Sequence, residues 1–169
     1  MAFPIRTPCR SEKAGVMLRQ RVLTLEEALN VVNGVVAFAK EHNHRGVAVV
    51  VVDKQGDIIA GARMTGLADR VFAAAHRKAY SAAVFERDTS LIVDLHREMQ
   101  ARGHRGPHDW NDPMLSTLPG GYCVLYDGEV VGAVAVAGGG GNISDWQFAD
   151  KAFSLLGDGF SHRGKAEVP

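Results

Sequence analysis

The apolar positions change their period from one stretch of the chain to the next. Leu25, Ala28, Leu29, Val32, Val35, Val36 and Ala39 keep the three-four spacing of an amphipathic helix. Thr24 stands at its cap, and Glu26 and Glu27 put negative charge on its first turn. The run His42-Asn43-His44-Arg45-Gly46 ends it, and the two histidines suit its negative end. Val47 to Val52 is a β-branched run too short for most helices. A turn over Asp53-Lys54-Gln55-Gly56-Asp57 follows, and Ile58 to Met64 returns, so the segment predicts a hairpin with Asp53 shaping its turn. Leu67 to Glu86 is alanine-rich and helix-forming. Asp88-Thr89-Ser90 interrupts it and opens a shorter helix that runs to Gly103.

The pattern then lapses. Residues 104–121 hold three prolines, three glycines and two histidines, which predicts a long loop of the functional or mobile kind. Gly121 to Gly138 is a second hairpin, with Asp127-Gly128 between apolar strands as its turn. Four consecutive glycines, Gly138 to Gly141, lead into a last helix from Ser144 to Leu156, and the residues after it read as frayed. Two hairpins and their helices predict an α+β domain: a central antiparallel sheet flanked by helices, a profilin-like α-β-α sandwich. The expected divisions are an N-terminal arm over 1–21, one domain over 22–157 and a C-terminal tail over 158–169.

Composition narrows the classes. With 169 residues, 46% of them hydrophobic, the chain is long enough for a core without staples. Its 19 basic and 19 acidic residues cancel. That argues against a nucleic-acid footprint or a polybasic membrane patch and favours self-association. Cys9 and Cys123 are too far apart for a zinc spacing, and Cys123, in an apolar run, reads as a buried thiol. The absence of a long apolar stretch or a secretory leader makes the cytoplasm the expected compartment.

Candidate chemistry gathers in four places. His76 and Tyr80 share one face of the alanine-rich helix, and Lys78 points elsewhere. His76 is a candidate metal ligand or general base, and Lys78 a candidate partner for a carboxylate. Arg63, at the end of a strand, can grip a carboxylate or form a bridge with Asp53 or Asp69. The glycine run either turns into a helix capped by Asn142 or Ser144, or binds an anion at bare N–H groups. In the loop, His104, His108, Asp109 and Asp112 are metal-ligand types, although Gly106-Pro107 keeps one helix from presenting both histidines.

Several segments together resemble the GlcG/HbpS family: LTLEEAL, VVVDKQGDIIAGARMTG, HRKAYSAAVF with Thr89 behind it, Gly120-Gly121, and DGEVVGAVAVAGG followed by Asp145. The resemblance spans about residues 22–156. This family is described as haem-degrading or haem-binding and also supplies the C-terminal domain of PduO-type proteins. It implies a small antiparallel sheet, oligomers, and in some members haem or a cobalamin-related tetrapyrrole. Thr65 stands where the family has an acid, His76 is gained beside Lys78, and Ala135-Val136-Ala137 replaces the usual closing pattern. Tyr122-Cys123 follows the Gly-Gly pair, and the loop around Trp110 is longer than usual.

Two readings follow. The first is a homo-oligomer that binds haem or a related tetrapyrrole. His76 would meet the iron, and the anionic groups would lie at Arg63, Lys78, Tyr80 and the turns Gly120, Gly121, Gly139 and Gly140. The second is a lyase, isomerase or hydrolase acting on a small carboxylated, aromatic intermediate of catabolism. There Arg63 or Lys78 would clamp the carboxylate, and His76 or His108 would move the proton. A divalent metal at the loop histidines is a further expectation. In each case the partners are a small anionic molecule and other copies of the chain.

Overall fold

A computed structural model describes residues 20–164. The elements run α1 (Leu25–Glu41), β1 (Ala48–Asp53), β2 (Ile58–Arg63), α2 (Asp69–Val84), α3 (Thr89–Ala101), α4 (Pro107–Trp110), β3 (Gly121–Tyr126), β4 (Glu129–Ala137), α5 (Asp145–Ser154) and β5 (Phe160–His162). Of the expected N-terminal arm only Gln20 and Arg21 fall within the described residues, and Cys9 does not. No helix among the described residues is long and apolar enough to cross a membrane.

Local signals account for most of the boundaries. Thr24 and Glu27 form a reciprocal capping box on α1, and Ser144 and Gln147 form another on α5. Asp53 Oδ1 accepts the N–H groups of Gln55 (2.9 Å) and Asp57 (3.0 Å), which closes the first hairpin. Asp127 and Gly128 both adopt positive φ, 49° and 80°, as a two-residue hairpin turn requires.

All strand pairs are antiparallel, in the order β2-β1-β4-β3-β5. The two hairpins join through β1 and β4, with Ala48 opposite Ala137 and Asp53 opposite Gly132. The sheet is covered on both faces, and the faces differ in residue size. Val47, Val49, Val51, Val134 and Val136 face α1 and α5 in a core that includes Phe148. Ala48, Ala133, Ala135 and Ala137 face Ala75, Ala79, Ala82 and Ala83 of α2. Small residues on both sides let α2 lie close to the sheet, so this helix carries its polar side chains into the strand ends.

The sequence reading departs from the structure in three places. The segment 104–121, read as a loop, contains the short helix α4 with Pro107 at its start. The C-terminal segment read as frayed contains β5, whose His162 lies opposite Val124 on β3. Three residues carry no legible period, and what orders them is the row of hydrogen-bonding groups on the β3 edge. His44 is more than a cation at a helix end. It is 8% exposed, its Nε2 bonds the Gly140 carbonyl at 3.1 Å, and its Nδ1 accepts the Gly46 N–H at 3.2 Å. The ring thus ties the end of α1 to the glycine run.

Phe148 is the largest side chain fully buried in the α1/α5 core. Phe148→Ala is expected to cost about 3–5 kcal/mol of stability, measured as a lowered urea midpoint at unchanged slope.

Candidate functional site

Lys78 and the glycine turns meet at one end of the sheet. The Lys78 side chain is 3% exposed. Its ammonium donates to the Val136 carbonyl at 3.0 Å and pairs with Asp145, the first residue of α5. The other Asp145 oxygen accepts the Gly139 N–H at 2.5 Å. Gly120 closes the cluster with a φ of +104°, and a Cβ there would stand 2.8 Å from Asp145 Cβ and 3.3 Å from Lys78 Nζ. A Cβ on Gly139 would run into the Asp145 backbone. Gly121 exchanges bonds with the buried Thr89: its N–H reaches Oγ1 at 3.0 Å, and the hydroxyl donates back to its carbonyl at 3.2 Å.

Lys78, Gly120, Gly121 and Gly139 are therefore gathered around a carboxylate that belongs to the protein. A lysine this deep is stable only with its charge met, and Asp145 and the Val136 carbonyl meet it. The clamp that the enzyme reading assigns to Lys78 is already filled by Asp145. Gly140 serves the adjacent turn, where its N–H donates to the Ile143 carbonyl at 2.8 Å and Ser144 caps α5.

His76 and Tyr80 share a face, and that face meets the first hairpin turn. His76 Nε2 lies 3.0 Å from the Gly56 carbonyl and donates to it. The Tyr80 ring lies against Gly56, and its hydroxyl donates to Asp112 at 2.9 Å, which holds the phenol above its usual range. Arg63 sits on the edge strand β2. Its guanidinium meets Asp69 at 3.0 Å and donates to the Leu67 carbonyl. It borders a shallow groove of about 360 Å³ with Lys40, Ala62 and Met64.

Among the described residues the loop does not assemble the expected metal site. Asp109 accepts the Arg105 backbone N–H at 2.7 Å and its guanidinium at 3.0 Å, and these bonds hold its carboxyl below the usual carboxylate range. Asp112 is occupied by Tyr80 and by the Met114 N–H at 2.8 Å. Among the described residues no group of three or more His, Cys, Asp or Glu side chains could hold a metal ion, at the loop or at His76. The His108 side chain lies outside the described residues.

A cluster that the sequence reading did not anticipate lies at the β5 edge. Asp88 occupies the N-cap position of α3, yet its carboxylate makes no cap bond. Oδ1 accepts the Cys123 N–H at 2.9 Å, just beyond the last β3–β5 pair, and Oδ2 meets His162 Nδ1 at 2.5 Å. The Asp88 N–H donates to the Arg163 carbonyl at 3.1 Å. Asp88 thus completes the β3 edge as a strand residue would. Burial raises its carboxyl above the ordinary range, and the bonds from His162 and Cys123 oppose that rise. His162 stacks on Tyr122 at 4.5 Å between centroids and meets the edge of Phe153 at 4.8 Å. The Tyr122 hydroxyl donates to Asp150. Cys123 is buried, and burial pushes its thiol up to about 12, so it is a packed thiol and not a nucleophile. Asp88 and His162 are 74 residues apart. The only signal in sequence is an aspartate at a helix start.

The family model for haem-degrading, HbpS-like proteins matches residues 23–154. Among solved structures, the fold is similar to a double mutant of HbpS from Streptomyces reticuli. That similarity has 29% identity, 91% of this chain and 99% of that chain covered, and a TM-score of 0.70. It is also similar to the Klebsiella pneumoniae protein ORFY, at 25% identity, 83% and 94% coverage and a TM-score of 0.71. A third structure, a PduOC–haem complex, shares the fold at 20% identity, with 85% and 100% coverage and a TM-score of 0.70. No curated protein matches the chain.

The Lys78–Asp145 pair has a measurable consequence. Lys78→Met and Asp145→Ala are each expected to destabilise the fold, the lysine change by up to about 3–5 kcal/mol, because each strands the other charge. The double variant should lose less than the sum, and denaturation of all four proteins measures that coupling.

Proposed function

The chain belongs to the family of haem-degrading, HbpS-like proteins, and on that premise we propose that it binds haem or a closely related tetrapyrrole. The observation that carries this reading is the family match across nearly the whole folded domain. The haem complex with the same fold agrees with it.

The chemistry of the residues present suits such a group. A cleft of about 470 Å³ is lined by Arg21, Lys54, Glu86, Glu129 and Arg163, a volume within the range of small-molecule sites. Arg163 faces Glu86 at 3.6 Å and Arg21 pairs with Asp127, all four side chains about half exposed or more. Exposed pairs of this kind contribute little, so a propionate can replace the protein carboxylate at small cost. Lys78 offers no such exchange, because it is itself buried and its charge is met by Asp145. The bound group would supply redox and ligand-exchange chemistry at its iron. The protein would supply orientation and charge.

We propose further that the protein works as a homo-oligomer. Val22, Leu25 and Leu29 are 58%, 52% and 42% exposed at the start of α1, an apolar strip that a second copy would cover.

Titration of the purified protein with hemin should give a saturable Soret shift. A linear, non-saturating absorbance would remove the haem reading. Light scattering at micromolar concentration should report a particle heavier than the 18.2 kDa chain, and a monomer would refute self-association.

A further inference from the structure

The sequence offers His76 as the side chain to meet an iron, but the geometry points elsewhere. His76 spends its Nε2 on the Gly56 carbonyl. His44 has both ring nitrogens engaged. His42 is anchored only by the Phe38 carbonyl at the exposed end of α1. The unpartnered His96 Nδ1 is buried out of a ligand's reach. His162 differs from His42 and His76 in the partner of its bonded nitrogen, a buried carboxylate in place of a backbone carbonyl. Its Nδ1 donates to a carboxylate whose side chain is 0% exposed, while its own side chain is 36% exposed. With the proton on Nδ1, the neutral ring carries its lone pair on Nε2. That atom has no hydrogen-bond partner among the described residues.

The rest of the ring is held. Tyr122 lies nearly parallel to it, with 14° between the planes, and Phe153 meets it edge-on. Asp88 is held in turn by the Cys123 N–H and cannot follow the ring outward. An imidazole fixed through Nδ1 by a buried carboxylate, with Nε2 free, is the arrangement that orients a histidine toward a metal and raises its basicity. Arg163, next in the chain, lines the cleft described above together with Arg21, Lys54, Glu86 and Glu129.

We propose that His162 ligates the iron of the bound haem through Nε2, with Asp88 as the positioning residue that sets the ring's orientation and donor strength. This rests on the haem reading given above, and the experiment separates the two.

Wild type, His162→Gly, His162→Gln, Asp88→Asn and His76→Ala are titrated with hemin, and the ferrous complexes are examined by resonance Raman spectroscopy. Wild type should show an iron–histidine stretching band. His162→Gly should lose that band and bind hemin at least tenfold more weakly, and added imidazole should restore the spectrum. His162→Gln can keep a bond to Asp88 without offering an imidazole, so its loss of the band cannot be ascribed to a loosened β5. Asp88→Asn should retain the band at lower frequency, a change that a purely structural role would not produce. His76→Ala should match wild type.

If wild type binds hemin and the His162 variants bind it with unchanged affinity and spectrum, the ligand assignment is overturned and haem binding stands. Loss of the band in His76→Ala overturns it equally. If wild type shows no saturable change, both the assignment and the haem reading fall.

Discussion

The pairing of β1 with β4 is the constraint on which the rest of the molecule depends. Each hairpin can form from local signals, but a lone hairpin is marginal in water. The six-residue antiparallel register between Ala48–Asp53 and Gly132–Ala137 joins the two into one sheet. It also settles which side chains share a face. Because strand side chains alternate, Val49, Val51, Val134 and Val136 fall toward α1 and α5, whereas Ala48, Val50, Val52, Ala133, Ala135 and Ala137 fall toward α2. A slip of one residue would exchange them.

That asymmetry decides where polar groups can be buried. The alanines of β4 against those of α2 bring the helix backbone near that strand. The Lys78 ammonium then reaches the Val136 carbonyl and Asp145, and its charge is met inside the protein. The bare turns at Gly120 and Gly139 admit this pair because a Cβ at either would collide with Asp145. A few residues along β3 from Gly120, β5 is too short to cover the strand, and the Asp88 carboxylate takes the place of the missing strand residue at Cys123. The same group anchors the His162 ring. One buried aspartate therefore serves the fold and prepares an imidazole.

The two carboxylate pairs behave differently. Lys78–Asp145 is closed, with each charge and the neighbouring N–H and carbonyl groups satisfied within the chain. Asp88–His162 is closed on one side only, since the imidazole keeps a second nitrogen and a partly exposed ring. A ligand has nothing to gain at the first pair without breaking it, whereas the second presents a lone pair already oriented. This contrast moves the functional argument from α2, where the sequence placed it, to the β5 edge.

The sequence by itself determined the elements whose signals are local. The heptad-like spacing from Leu25 to Ala39, the caps at Thr24 and Ser144, the turns at Asp53 and Asp127-Gly128, and the alternation of valine and alanine through β4 all act within a few residues. The four longer helices and both hairpins could therefore be read from them, whereas α4, inside the segment read as a loop, could not. The same reasoning nominated Lys78 and the glycine turns, which do converge, but could not say that Asp145 lies 67 residues on with its carboxylate at the ammonium. Only the tertiary structure decided that Lys78 is neutralised, that His76 is turned to a carbonyl, and that three residues of an aperiodic tail form a strand. The physical reason is common to all three. Each depends on a partner outside its own local segment, and the energy of such a contact leaves no periodic mark on the residues that make it.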